Sequence, residues 1–218
     1  MNKAWSELNK TMQAQLKKQD TYKAGIAALF DLRNQLMQTI TSFRAELRRD
    51  DFDAIPFMNA AGYHSKTIAY SLWHIFRIED IVAHTLIRGN QQVFFSGNYQ
   101  ERINSPIITT GNELVKEQIA DFSRQLNLNE LYSYILEVKS SAETIISSLS
   151  FDDLKQNISA ERKKHLQSLN VVSEDENAAW LIDYWCGKDV RGLLQMPFSR
   201  HWIMHTEACL RIKNKVHP

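Results

Sequence analysis

Residues Pro197–Ile212 read PFSRHWIMHTEACLRI, and both the fold and the chemistry of this chain turn on how that stretch is read. Proline suits the first turn of a helix, where its missing N–H would have no intrahelical partner. No breaker follows, so the segment is expected to stay helical to about Lys213. His201 and His205 then stand one turn apart on one face. That spacing can bring two imidazole nitrogens to one metal ion, with the helix fixing their separation. Taken alone, the pair reads more simply as two histidines satisfied by hydrogen bonds.

A third histidine shifts the balance. Ser71–Asp80 reads SLWHIFRIED, inside a helical pattern from about Ser65 to Arg88. Ile68, Ser71, Ile75, Ile78, Ile81 and Val82 recur at helical spacing, which makes the His74 side of that helix substantially apolar. A histidine at the edge of an apolar face, opposite a helix carrying H-x-x-x-H, completes a three-imidazole set. Three neutral nitrogens with one open position are the ligands of a catalytic zinc site rather than a closed structural one.

SLWHIFRIED, followed far downstream by MPFSRHWIMHTEACLRI, resembles the DinB/YfiT-like superfamily of metal-dependent four-helix-bundle proteins. The resemblance is sharp over those two segments and diffuse elsewhere, with the helix order agreeing over most of the chain. It implies an all-α fold, a four-helix bundle of DinB/YfiT type with additional helices and a long loop between the second and third bundle helices. It also implies that one ligand comes from the second bundle helix and two from the last, positions on which His74, His201 and His205 fall. Branches of the family include thiol-dependent transferases and isomerases that use bacillithiol or mycothiol. The resemblance therefore implies a divalent metal ion, zinc or nickel, with a low-molecular-weight thiol cosubstrate, a small-molecule substrate and a homodimer.

Composition sets the wider limits. The 218 residues are 44% hydrophobic, with only 7 Gly and 4 Pro, which favours one helical domain over residues 1–218. A net charge of +1 gives no reason to expect nucleic acid. Two cysteines, Cys186 and Cys209, make no disulfide framework, so a cytoplasmic setting is expected. The first residues, MNKAWSELNKTMQAQLKKQD, lack the apolar core of a signal peptide. No apolar run approaches the roughly 18 residues of a membrane span, so no membrane partner is expected.

Along the chain, Trp5, Leu8, Met12 and Leu16 mark an N-terminal helical arm within residues 1–20, packed on the bundle or on a partner chain. Its tryptophan makes it a candidate contributor to a homodimer. Thr21–Arg49 is the first long helix, with a broad apolar stripe from Ile26 to Phe43. A loop through Pro56 and Gly62 precedes the His74 helix, as an entrance loop would, and Gly89 stops that helix. Asn90–Gly111 reads as a long connection that Phe94, Phe95 and Tyr99 fold onto the bundle, over the site. Asn112–Arg124 and Asn129–Ser148 read as helices, Ser150–Asn170 as a solvated helix or connector. Asp175–Gln195 reads as an aromatic helix that Gly187 and Gly192 interrupt.

Around the three histidines, Tyr70 and Ser71 lie one turn before His74 and should face the same way. Tyr70 is the candidate catalytic residue, donating to a developing anion, against the plainer use of a rim tyrosine packing its ring. Cys209 could add a thiolate, although small buried cysteine is the commoner use. Glu207 falls on the far side of its helix from His205 and is not taken as a base. Arg77 and Arg200 could bind an anion or serve in ion pairs, while His64 and His84 read as non-ligands. Trp73 and Trp202 adjoin the ligands and could wall a pocket. These features point to a metal-dependent S-transferase or hydrolase. The alternatives are a non-catalytic metal-binding or stress-response bundle and a structural dimerising bundle with unused histidines.

Overall fold

The computed structural model describes residues 2–217; Met1 and Pro218, the ends of the expected domain, lie outside them. Among the described residues there is no strand, only an isolated bridge between Asn157 and Asp189. The helices are α1 (Lys3–Gln15), α2 (Tyr22–Glu46), α3 (Arg49–Asp53), α4 (Ile68–Asp80), α5 (Val93–Ser96) and α6 (Tyr99–Ile103). They continue with α7 (Glu117–Gln125), α8 (Leu128–Ser147), α9 (Ala160–Ser168), α10 (Trp180–Cys186), α11 (Val190–Leu194) and α12 (His201–Val216). The long helices α2, α4, α8 and α12 lie against one another, with α4 touching both α8 and α12.

Local chemistry explains most of the boundaries. Asn2 caps α1 by accepting from the backbone N–H groups of Ala4 and Trp5. The α1–α2 turn is close because Gly25 faces Leu16. A side chain at that glycine would meet the Leu16 backbone nitrogen at 2.9 Å. Thr67 caps α4 through the Tyr70 N–H and pairs its hydroxyl with that of Ser123 at 2.7 Å. Beyond Asp80 the chain continues as a π-helical stretch, Ile81–Arg88, and stops at Gly89, whose φ of 76° is the left-handed ending expected there.

Every residue of α4 is buried, charged ones included. Such a helix must find its ionic partners on its neighbours. Arg33 of α2 meets Glu79 with two parallel bonds of 2.8 and 2.7 Å, and both side chains are fully buried. Glu143, the Phe198 carbonyl and the Trp202 indole N–H complete the cluster. Burial pulls the Arg33 guanidinium down, but the charges and bonds of Glu79 and Glu143 outweigh it and leave its pKa raised. At Glu79 burial pushes toward protonation, against Arg33 and Trp202. Two-point contact with a guanidinium that does not deprotonate keeps the carboxylate ionised. On the next turn Asp80 accepts from the N–H groups of Val93 and Phe94 and from Tyr134 Oη.

Several expectations need correcting. The first long helix ends at Glu46, and the expected loop after it begins with α3. The Asn90–Gly111 connection contains α5 and α6, although Phe94 and Tyr99 are buried against the bundle as anticipated. The helix expected from Asn112 begins only at Glu117. Gly187 interrupts Asp175–Gln195 as expected, ending α10, but the helix starts only at Trp180 and Gly192 lies inside α11. Of the two placements expected for the arm, Trp5 takes the first, packing into the bundle of its own chain at 4% exposure.

Replacing Arg33 with Met strands Glu79 as an unpaired buried charge, and urea unfolding should show a loss of about 3–5 kcal/mol. A paired Arg33→Met, Glu79→Leu variant should recover much of that loss, since it removes both charges.

Candidate metal centre

The two segments singled out in the sequence meet. α12 follows a π turn, Met196–Arg200, in which the His201 N–H reaches back to the Met196 carbonyl. Pro197 sits at the start of this turn, so the expected ordinary first turn is a wide one. Against it lies the His74 face of α4. Ring centroids are 4.9 Å apart for His74 and His201, 4.8 Å for His74 and His205, and 4.5 Å for His201 and His205. One ring nitrogen from each falls within 4.8 Å of the others. All three side chains are buried.

Hydrogen bonding distinguishes the rings. His74 Nδ1 lies 2.7 Å from the Thr110 carbonyl, which can only accept, so Nδ1 carries the proton and Nε2 keeps its lone pair. Nδ1 of His201 and Nδ1 of His205 are buried and have no hydrogen-bond partner among the described residues. Three buried imidazoles, each with a ring nitrogen within 4.8 Å of the others, fit a bound cation. Neutral imidazoles suit zinc, nickel, copper and iron alike, so the donor set fits a divalent ion without selecting one. Burial pushes the His74 pKa down to about 4, with the Thr110 carbonyl opposing and the Lys66 charge adding. Burial also holds His201 and His205 well below the usual histidine range, helped by their neighbouring rings.

Tyr70, His74 and Arg77 lie on one face of α4 and grip the end of the 90–111 connection. Their partners are the carbonyls of Gly111 (2.8 Å), Thr110 (2.7 Å) and Ile108 (2.9 Å). The connection therefore orients a ligand. Tyr70 stacks on His74 with ring centroids 5.4 Å apart. Its hydroxyl is committed to Gly111 and burial holds its proton on, so the expected donation into the site gives way to positioning the loop. Arg77 is fully buried and also bonds Gln92, so it is no anion receptor, whereas Arg200 is exposed.

The remaining candidates stand apart. Cys209 is buried with its thiol pushed up to about 12 by desolvation, and it does not join the three histidines. Glu207 faces away, toward the Asn2 N–H. His84 is held between Asn90 and Ser141, and His64 by Arg211. Trp73 and Trp202 are core residues with no exposed surface and wall nothing. The pocket over the histidines, about 270 Å³, is walled instead by Trp180, Leu181, Tyr184 and Trp185 of α10 with Met196 and Met204. Sequence reading registered the aromatic load of α10 without assigning it to the site. The Trp180–Tyr184 spacing of one turn was the available signal. Tyr63 of the entrance loop also reaches the site, its ring 5.7 Å from that of His205.

Because the three rings stay neutral when folded but titrate near 6.5 when exposed, unfolding takes up protons between about pH 4 and 6.5. Stability of the metal-free protein should rise with pH across that window and be lost as pH falls through it. Melting curves should show a shallower slope for a His74→Gln, His201→Gln, His205→Gln variant. Tyr70→Phe frees the Gly111 carbonyl and should weaken zinc binding about tenfold, read by competition with a chelating dye, at unchanged helicity.

A scan against protein-family models finds no match for this chain, and a search of curated proteins finds none either.

Proposed function

We propose that this chain is a metal-dependent enzyme of the DinB/YfiT-like superfamily that acts on a small molecule, as a thiol-dependent S-transferase or as a hydrolase. The observation that carries the reading is the convergence of three buried imidazoles, two of them with orphaned Nδ1 atoms, at the floor of an apolar pocket. The mutual packing of α2, α4, α8 and α12, with one ligand on α4 and two on α12, supports the family assignment. A divalent ion in such a site, zinc or nickel, supplies a Lewis acid beside which water or a thiol loses a proton at neutral pH. His74, His201 and His205 would hold it, and their depressed pKa values keep them available as neutral donors. The Thr110 carbonyl fixes the His74 tautomer, and the α10 side chains exclude water from the floor.

A second reading, a non-catalytic metal-binding or stress-response protein, is favoured by one feature. No carboxylate is among the residues lining the pocket, so no general base stands beside the histidines. No described helix is long and apolar enough to cross a membrane, and a cytoplasmic homodimer remains part of the proposal on the strength of cysteine usage and the resemblance.

Elemental analysis of the purified protein should find about one divalent ion per chain. His74→Ala, His201→Ala and His205→Ala should each lose it. Little change in melting temperature in those variants, together with turnover of a thiol and electrophile pair by the parent, supports the enzyme. Metal without turnover across water, bacillithiol and mycothiol panels supports the binding protein, and metal content unchanged in all three variants removes the site.

A further inference from the structure

The pocket over the histidines supplies no negative charge of its own. Three neutral imidazoles add nothing to offset a dication, and no Asp or Glu is among the lining residues. The nearby charges add to the imbalance. Lys66 pairs with no carboxylate among the described residues, rests over the Tyr70 ring at 4.9 Å, and its charge reaches His74 and His205. Lys188 Nζ lies over the Tyr184 ring at the rim, 4.3 Å from its centroid. Glu113 also acts on Tyr70, with Oε1 accepting from Thr109 and Oε2 buried without a hydrogen-bond partner among the described residues, so it offsets Lys66 in part, but it does not line the pocket. A ligand that brings a negative charge to the floor offsets part of a buried excess that water screens poorly.

The walls specify the rest of that ligand. Trp180 is 51% exposed at the rim, an unusual position for an indole, and its ring N–H is tied to the Asn177 carbonyl at 3.0 Å. Tyr184 stands edge-on to it, 5.5 Å away at 71°. With Leu181 and Met204 they form an apolar wall above the histidines. Flat rings gain most against such a wall, through dispersion and edge-to-face contact.

We infer that this site takes a monoanionic aromatic ligand, its acid group toward the ion held by His74, His201 and His205 and its ring against the face formed by Trp180 and Tyr184. The inference rests on the metal-site reading above and adds the class of molecule bound. About 270 Å³ accommodates a fused bicyclic ring with its acid group.

The test uses the full chain loaded with zinc, its metal content confirmed first, and three probes: 2-naphthoate, the neutral 2-naphthamide and acetate. Binding is followed by calorimetry and by quenching of tryptophan emission. Naphthoate should bind at least about tenfold tighter than naphthamide and at least about tenfold tighter than acetate. Trp180→Ala should erase most of the advantage over acetate, and Tyr184→Leu, which keeps an apolar side chain there, should reduce it. Naphthamide matching naphthoate, or both variants retaining the full aromatic advantage, overturns the inference while leaving the metal site standing. If zinc does not load, or naphthoate binds equally well to His201→Ala without zinc, the metal-site reading and this inference fall together.

Discussion

The interaction on which this structure depends is the two-point ion pair between Arg33 and Glu79. α4 is buried on every side, and a helix that carries Arg, Glu and Asp into the interior is stable only if its neighbours answer each charge. Arg33 answers Glu79 from α2, and the Trp202 indole answers it from α12. Trp202 adjoins His201 in sequence, so the contact that compensates the buried carboxylate also docks the helix bearing two of the three imidazoles. Core electrostatics and site geometry are therefore set by the same residues.

A second layer of organisation comes from the connection before α7. Its carbonyls at Ile108, Thr110 and Gly111 are held by one face of α4, and the middle one fixes the proton on His74. Beyond α6, a further helix over residues 108–111 would have directed those carbonyls into intrahelical bonds. The irregular backbone there leaves them free to bond side chains, which is how a segment without a helix comes to define a ligand.

What the sequence made legible follows period and spacing. His201 and His205 share a face because a helix repeats every 3.6 residues, and His74 lies on a face whose apolar positions recur at that period. Gly89 as a helix stop was legible for the same kind of local reason. The rest depended on distant contacts. Arg77 read as an anion binder or ion-pair partner and Glu79 and Asp80 drew no role, because Arg33, Tyr134 and the 90–111 backbone that hold them lie far off in sequence. Tyr70 was correctly placed beside His74, yet its hydroxyl partner, Gly111, is 41 residues away. The α10 aromatics were visible as residues but not as a wall, since Trp and Tyr at helical spacing serve a core equally well. Trp73 and Trp202 show the converse, adjoining the ligands in sequence while pointing into the core.

The π turn at Met196–Arg200 carries a consequence for how the chain tolerates insertion and deletion. A wide turn closes its hydrogen bond over one more residue than an α turn does. The heading of His201 relative to α11 is thus set by how many residues the turn contains as well as by their chemistry. Removing a single residue would rotate the rest of the helix by about 100°. His201 and His205 would keep their mutual spacing and swing away from His74 as a pair. Chain length at this one turn would thus act as a coarse aiming device, and a register error there would disarm the site with every imidazole still present.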